Sequence, residues 1–192
     1  MTDDVENWRR ASCRRRARQL GEAARLAHET VNAAYRTHVH ERDPDCYAAL
    51  LKDFREKTAA ALPSTDRAFM PGLARGHARC VEAAIAFLEA DPWFFRSGYE
   101  KQNLIRHLKR ARLDAGQRLR LARVVLAAID GHAAGVPAGR DRVEFRHFGR
   151  LACGIWSDFL DEEVARRMQS ADPGIRRRAT WVAAAAISAG KA

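Results

Sequence analysis

Apolar residues recur every three or four positions along most of this chain of 192 residues, and no segment sustains an apolar–polar alternation. A spacing of three and four places apolar side chains on one face of a helix, whereas strict alternation is typical of a strand. Alanine, leucine and arginine, which all favour helices, are abundant throughout. The sequence therefore predicts an all-α protein.

The N-terminal segment predicts one long helix, from about Val5 to Val39. Small and apolar residues along it alternate four and three positions apart, which is the spacing of a heptad seam: Cys13, Ala17, Leu20, Ala24, Ala27, Val31 and Ala34. Because the seam covers only about three heptads, packing against other helices of the same chain is favoured over a homodimeric coiled coil.

Turn residues and caps divide the remainder into further helices. Three of these are predicted to begin with an aspartate N-cap followed by proline, at Asp43-Pro44, Asp91-Pro92 and Asp172-Pro173. Three glycines and a proline mark one long loop, 130–142. After the first helix, we expect a second from 43 to about 62 and a third that ends at about 90. A fourth should begin at 91, a fifth should run from 115 to 130, a sixth from 141 to 168, and the last should begin at 172.

The apolar positions of these helices predict the core. We expect it to include Tyr47, Leu50, Leu51, Phe54, Leu73, Cys80, Ala84, Leu88, Leu104, Ile105, Leu108, Leu121, Ala122, Val125, Ala128, Ile129, Phe148, Ala152, Ile155, Phe159, Leu160, Ile175, Ala179, Val182 and Ala186. Four aromatic residues, Trp93, Phe94, Phe95 and Tyr99, cannot all face one side of a helix, so at least two should be buried, with Trp93 and Tyr99 partly exposed.

The Asp-Pro pairs also indicate a repeat. They lie 48 and 81 residues apart, and the second gap is close to two units of about 40. The segment ADPGIRRRAT, 171–180, resembles the second helix of a HEAT-type repeat, and ADPWFFRSG, 90–98, is a looser match. This resemblance implies antiparallel helical hairpins stacked behind the long first helix, with a closed helical bundle as the alternative. We expect six to seven helices in a single domain, 1–192, with 1–90 and 91–192 as candidate sub-lobes.

The positive charge is concentrated in the second half. The net charge is +10, and residues 97–192 carry 18 basic and 10 acidic residues, against 16 and 14 in residues 1–96. Such a balance suits an anionic partner, either nucleic acid or an acidic protein. No apolar run approaches the ~20 residues of a membrane span, so no membrane partner is expected.

The candidate binding residues lie in three groups. The first begins at Arg96, the second lies on one helix face near Arg146, and the third lies in the first turn of the last helix. They are Arg96, Lys101, Arg106, Lys109, Arg110, Arg120, Arg123, Arg142, Arg146, Arg150, Arg176 and Arg177. If the helices around 106 and 120 form a hairpin, their outward cations merge into one surface that releases counterions from phosphates. The alternative is a solvated arginine-rich face.

The stripe of Arg142, Arg146 and Arg150 requires an anion, because like charges four residues apart repel. We favour internal carboxylates over an external anion, and we expect the acidic face around Asp158 and Glu162 to supply them. The cations that open the last helix oppose its dipole, so they would suit a bound phosphate. The HEAT resemblance instead implies an arginine there that pairs between repeats.

Other chemistry is not expected. Several potential metal ligands are close in sequence: His38, His40, Glu41, Asp43 and Cys46. Histidines two apart can share a metal only outside a helix, and this segment is the end of a predicted helix, so neither a metal site nor a cofactor is predicted. Common enzyme signatures are absent, which favours a non-catalytic protein.

Three functions follow from these observations. The first is a non-catalytic helical protein whose basic C-terminal half contacts nucleic-acid phosphates. The second is an adaptor or regulator that binds an acidic protein through the same surface. The third is a helical-repeat enzyme acting on nucleic acid, with Asp158 beside Trp156 as its candidate carboxylate. The unpaired spacing of the four cysteines and the lack of an apolar leader in MTDDVENWRR indicate the cytoplasm. The oligomeric state stays open.

Overall fold

A computed structural model describes the backbone of residues 2–131 and 141–191 and the side chains of residues 10–131 and 145–191. In these ranges there are ten α-helices, a 3₁₀ turn at Pro63–Thr65 and no strand. The helices are α1 (Thr2–Arg36), α2 (Val39–Arg42), α3 (Pro44–Ala61), α4 (Phe69–Ala74), α5 (Ala78–Ala90), α6 (Ser97–Leu108), α7 (Ala115–Gly131), α8 (Asp141–Ile155), α9 (Asp158–Met168) and α10 (Pro173–Ser188). The all-α prediction is confirmed, but the expected number of helices is too low. Most of the predicted loop 130–142 lies outside the described residues.

The additional helices arise where local signals interrupt a longer pattern. Gly76 has a left-handed φ of 74° between α4 and α5, a conformation that glycine adopts without strain. Ser157 divides the predicted helix 141–168, because its hydroxyl accepts a hydrogen bond from Leu160 N at 3.4 Å and caps α9. Asp158 and Asp161 in the first turn of α9 complement the positive end of that helix.

The Asp-Pro signal correctly predicts two helix starts and fails at the third. Asp43 accepts from Cys46 N at 3.0 Å, and Asp172 accepts from Gly174 N at 2.6 Å, so both are N-caps. Asp91 instead ends α5 with a left-handed φ of 46°, and α6 begins only at Ser97.

Tertiary packing explains the failure at Asp91. Pro92 and Phe94 are buried. A Cβ placed on Gly21 of α1 would lie 2.6 Å from Pro92 Cβ, so the segment after α5 lies directly against α1. We attribute its non-helical backbone to this contact, which replaces the local preference for a helix start.

The chain forms two compact units, Met1–Lys101 and Gln102–Ala192, with the boundary inside α6. In the N-terminal unit, α1 packs against α3 and α5. The C-terminal part of the predicted seam is buried there, from Ala24 to Ala34, whereas Cys13 is exposed. The apolar residues of α3 that were expected in the core, Tyr47, Leu50, Leu51 and Phe54, are only half-buried. The packing of α1 within its own chain therefore involves about half of the seam.

The C-terminal unit contains most of α6 together with α7 to α10, and α8 and α9 are both in contact with α10. Its core includes the predicted residues Leu121, Ile155 and Val182, whereas Phe159 is 40 % exposed, contrary to prediction. Arg178 is 1 % exposed, and its Nε donates a hydrogen bond to the carbonyl of Ile129 at 2.7 Å. A buried arginine thus connects α10 to the C-terminal part of α7.

Candidate functional site

The ends of α6 and α8 approach closely in the C-terminal unit. Lys109 directly follows α6, and Gly154 lies in the last turn of α8. A Cβ placed on Gly154 would be 3.0 Å from the carbonyl oxygen of Lys109 and 3.2 Å from its Cα. Glycine at this position therefore permits the backbone of Lys109 to lie against α8, and any side chain there would require that backbone to shift by a few tenths of an ångström.

This approach brings basic side chains of both segments around His147. The histidine is 8 % exposed, and its Nε2 is buried without a hydrogen-bond partner among the described residues. Burial lowers the pKa of His147, and the positive charges of Arg146, Arg150, Arg106 and Lys109 lower its pKa further. We call these four residues the cation cluster.

The cation cluster has no internal counter-charge in the described part of the chain. None of its four members forms an ion pair with a carboxylate whose side chain is described. The expectation that Asp158, Asp161 and Glu162 would neutralise the arginine stripe is therefore wrong for Arg146 and Arg150. Asp158 and Asp161 lie in the first turn of α9, where they face the positive end of its dipole.

An open depression of about 560 Å³ adjoins the cation cluster. Lys109, Arg110 and Arg150 line it on the basic side, and the C-terminal turn of α10 lines another part. Cys153 also lines it, but its Sγ donates to the carbonyl of Gly149 at 3.2 Å. Burial raises the pKa of the Cys153 thiol, which opposes formation of the thiolate that a nucleophile requires. The depression therefore suits binding of an anion better than covalent catalysis.

The remaining candidate binding residues lie elsewhere or are engaged by the protein. Lys101 pairs with Asp91 and its side chain is 15 % exposed. Arg176 donates through Nη1 to the carbonyls of Ser170 and Ala171 at 2.6 and 2.9 Å.

Asp172 occupies the N-terminus of α10, and the aromatic ring of Trp181 contacts Arg177. Asp172 already accepts from the free backbone N–H groups that open α10, and these hydrogen bonds lower its pKa. Arg177 lies 5.4 Å from the ring centroid of Trp181. The α10 arginines are thus largely occupied by contacts within the chain.

Three further candidates are not brought to the cluster by any described contact. Arg96 is exposed in the N-terminal unit with a left-handed φ of 70°, Arg120 is half-buried on α7, and Arg123 is exposed on α7. The side chain of Arg142 lies outside the described residues. The structure therefore places the basic residues at the end of α6 near those of α8. The expected common surface of α6 and α7 cations is not observed among the described contacts.

The aromatic residues after α5 divide between surface and core. Trp93 and Tyr99 are 79 % and 71 % exposed, as the sequence predicts. Phe94 is buried, whereas Phe95 is 49 % exposed and packs near His28 and Phe54. Only one of the four is therefore fully buried, against the two that were expected.

His147 is the residue that the sequence interpretation missed. It lies between Arg146 and Arg150 in the segment RHFGR, and its position beside two arginines of one stripe was the available signal. Its burial depends on the packing of α8, which the sequence does not specify.

Comparison with known protein families, characterised proteins and solved structures finds no match to this chain. Among the described residues, no helix combines the length and the apolarity needed to cross a membrane.

His147 gives the cluster a measurable pH signature. The unfolded chain binds a proton on this residue near pH 6.5, whereas the folded chain binds it only at lower pH. Its contribution to stability is complete above about pH 6.5 and is lost as pH falls toward the folded pKa. We expect the free energy of unfolding, measured by urea denaturation, to fall less between about pH 7.5 and about pH 5.5 in His147→Gln than in the wild type.

The exposed His77 provides the matched control for this measurement. His77→Gln should retain the wild-type decrease in the free energy of unfolding at acid pH. An undiminished decrease in His147→Gln would show that another group causes it.

Proposed function

We propose that the chain is a non-catalytic nucleic-acid-binding protein and that the cation cluster contacts the phosphates. The observation that carries this proposal is that four cations, from α6, from the residue after it and from α8, lie near His147 without a described internal carboxylate. Like charges held together oppose folding, and an external polyanion offsets that repulsion.

Counterion release supplies the affinity in this proposal. Each phosphate that a lysine or arginine neutralises releases condensed cations from the nucleic acid, so binding weakens as salt is added. Phosphate contacts do not read sequence, and the chain contains no recognised groove-reading motif. We therefore propose binding that is independent of base sequence.

We also propose that α9 and α10 form a HEAT-like hairpin. The helices are consecutive and in contact, and Asp172-Pro173 opens the second of them. The hydrogen bond from Arg178 to Ile129 joins this pair to α7, which is the kind of pairing between repeats that the resemblance implies.

Fluorescence anisotropy with labelled duplex DNA, single-stranded DNA and RNA tests the proposed function. We expect sub-micromolar dissociation constants, below ~1 μM, at about 50 mM salt, similar for unrelated sequences of one nucleic-acid type. Lack of binding to all three at this salt concentration would overturn the proposal and favour an acidic protein partner. Turnover of the nucleic acid that Asp158→Asn abolishes while binding persists would favour an enzyme.

A further inference from the structure

The junction of α1 and α2 brings two imidazoles and a carboxylate together. One ligand atom each from His38, His40 and Glu41 lies within 4.8 Å of the other two. His38 Nδ1 is 3.4 Å from Glu41 Oε1, and His40 Nε2 is 3.6 Å from the same oxygen. These side chains belong to the N-terminal unit and lie outside the cation cluster.

The backbone explains how histidines two apart can converge. α1 ends at Arg36, and His38 adopts a left-handed conformation with φ 57° before α2 begins at Val39. Within a continuous helix, residues i and i+2 point in different directions. Because His38 lies outside both helices, the condition under which such a pair can share a metal is met. His38 also makes no side-chain hydrogen bond that caps α2, so its ring is not used for capping.

Packing holds the ring of His40 in place. It stacks on Tyr35 with centroids 4.5 Å apart and an interplanar angle of 17°, and it lies 5.6 Å from the ring of Tyr47. Its Nδ1 is buried and has no hydrogen-bond partner among the described residues. Because Nδ1 is buried, Nε2, which lies 3.6 Å from Glu41 Oε1, is the ring nitrogen that a metal ion would contact, and Nδ1 would then carry the ring proton.

The observed separations match those of zinc ligands. Zinc binds histidine nitrogen at ~2.0–2.1 Å and carboxylate oxygen at ~2.0–2.2 Å, so tetrahedral ligands are roughly 3.4 Å apart. The two measured distances to Glu41 Oε1, 3.4 and 3.6 Å, are close to this edge.

We propose that His38, His40 and Glu41 bind Zn²⁺, with the fourth coordination position open to water. Two imidazole nitrogens favour zinc over Mg²⁺ and Ca²⁺, which require oxygen ligands. Three protein ligands and one open position are the arrangement of an accessible zinc site, not of a closed structural one. This proposal does not depend on the proposed nucleic-acid function.

Isothermal titration calorimetry of the full chain without an affinity tag, using Zn²⁺ as the probe, tests the site. We expect one zinc ion to bind per chain and Mg²⁺ not to compete. Loss of a group that merely supports a ligand lowers metal affinity by about 10- to 100-fold, so loss of a ligand should lower it by at least ~10-fold. That decrease is expected for each of His38→Ala, His40→Ala and Glu41→Gln.

Two variants separate this site from other ligands of the chain. His77→Ala removes an exposed histidine elsewhere, and Cys46→Ser removes an exposed thiol near the start of α3. Both should retain wild-type zinc affinity.

Circular dichroism verifies that each variant remains helical, and zinc affinities are compared only among the variants that do. His38 and Glu41 are 68 % and 66 % exposed, so their replacement should leave the fold intact even if His40→Ala does not. Wild-type affinity in both His38→Ala and Glu41→Gln, absence of saturable zinc binding by the wild type, or loss of binding in Cys46→Ser would each overturn the proposal.

Discussion

The double variant Arg106→Glu/Lys109→Glu is expected to bind DNA and RNA at least ~60-fold more weakly than the wild type at about 0.1 M salt. A slope of about 0.9 in log K per phosphate contact corresponds to roughly an eightfold effect per contact at that salt concentration, and two contacts give ~60-fold. Charge reversal adds repulsion to this loss. Because phosphate contacts do not read bases, anisotropy should show the same decrease for unrelated sequences.

Lys52→Glu/Lys57→Glu is the matched control, because it changes the net charge by the same amount on α3. Both lysines form surface pairs within their helix, with Glu56 and Asp53, and such pairs contribute only ~0–1 kcal/mol to stability. We expect this control to bind within about threefold of the wild type. An equal decrease in both double variants would show that net charge, not the cation cluster, determines binding.

Arg178→Ala is expected to lower the free energy of unfolding by about 2–4 kcal/mol. The side chain is 1 % exposed and its Nε donates to the Ile129 carbonyl at 2.7 Å. Truncation leaves that carbonyl without this donor, which costs about 1–3 kcal/mol for a buried group, and it creates a cavity as well. Urea denaturation, monitored by circular dichroism, measures the change.

Arg178→Met separates the two contributions. Methionine retains much of the packed volume while it removes both the donor and the buried charge, whose desolvation opposes folding. We therefore expect a smaller loss of stability than in Arg178→Ala. A decrease below about 1 kcal/mol in Arg178→Ala would contradict the assigned role, since surface substitutions commonly fall within ±0.5 kcal/mol.

Helix type and several bounds follow from local signals. The expected first helix, from about Val5 to Val39, corresponds to α1 (Thr2–Arg36), and the segment 115–130 corresponds to α7 (Ala115–Gly131). Periodicity and caps are properties of neighbouring residues, so a single sequence carries them. Ser157 was available as a cap signal in the same way, but the apolar period that continues across it favoured one long helix.

The errors arise where distant segments decide the conformation. Asp91-Pro92 carries the same local signal as Asp172-Pro173, yet the packing of Pro92 against Gly21 leaves it outside a helix. Local spacing does not reveal a contact between residues so far apart in the sequence.

In the candidate site, too, the local features could be predicted from the sequence and the tertiary contacts could not. Its arginines and lysine could be listed from composition and helical spacing, but their partners could not. The sequence favoured a union of the α6 cations with Arg120 and Arg123, whereas Gly154 allows Lys109 to lie against α8. The burial of His147 among the cations follows from this tertiary contact and not from its neighbours in the chain.

The salt dependence of nucleic-acid binding tests the central claim most directly. Anisotropy titrations of the wild type and Arg146→Gln/Arg150→Gln between about 50 and about 200 mM salt give the slope of log K against log salt concentration. If the cation cluster neutralises phosphates, the slope should be steep in the wild type and smaller by about 1.8 for duplex DNA in the variant, which lacks two contacts. Equal slopes in the two proteins would contradict the account, because the arginines of α8 would then make no phosphate contact.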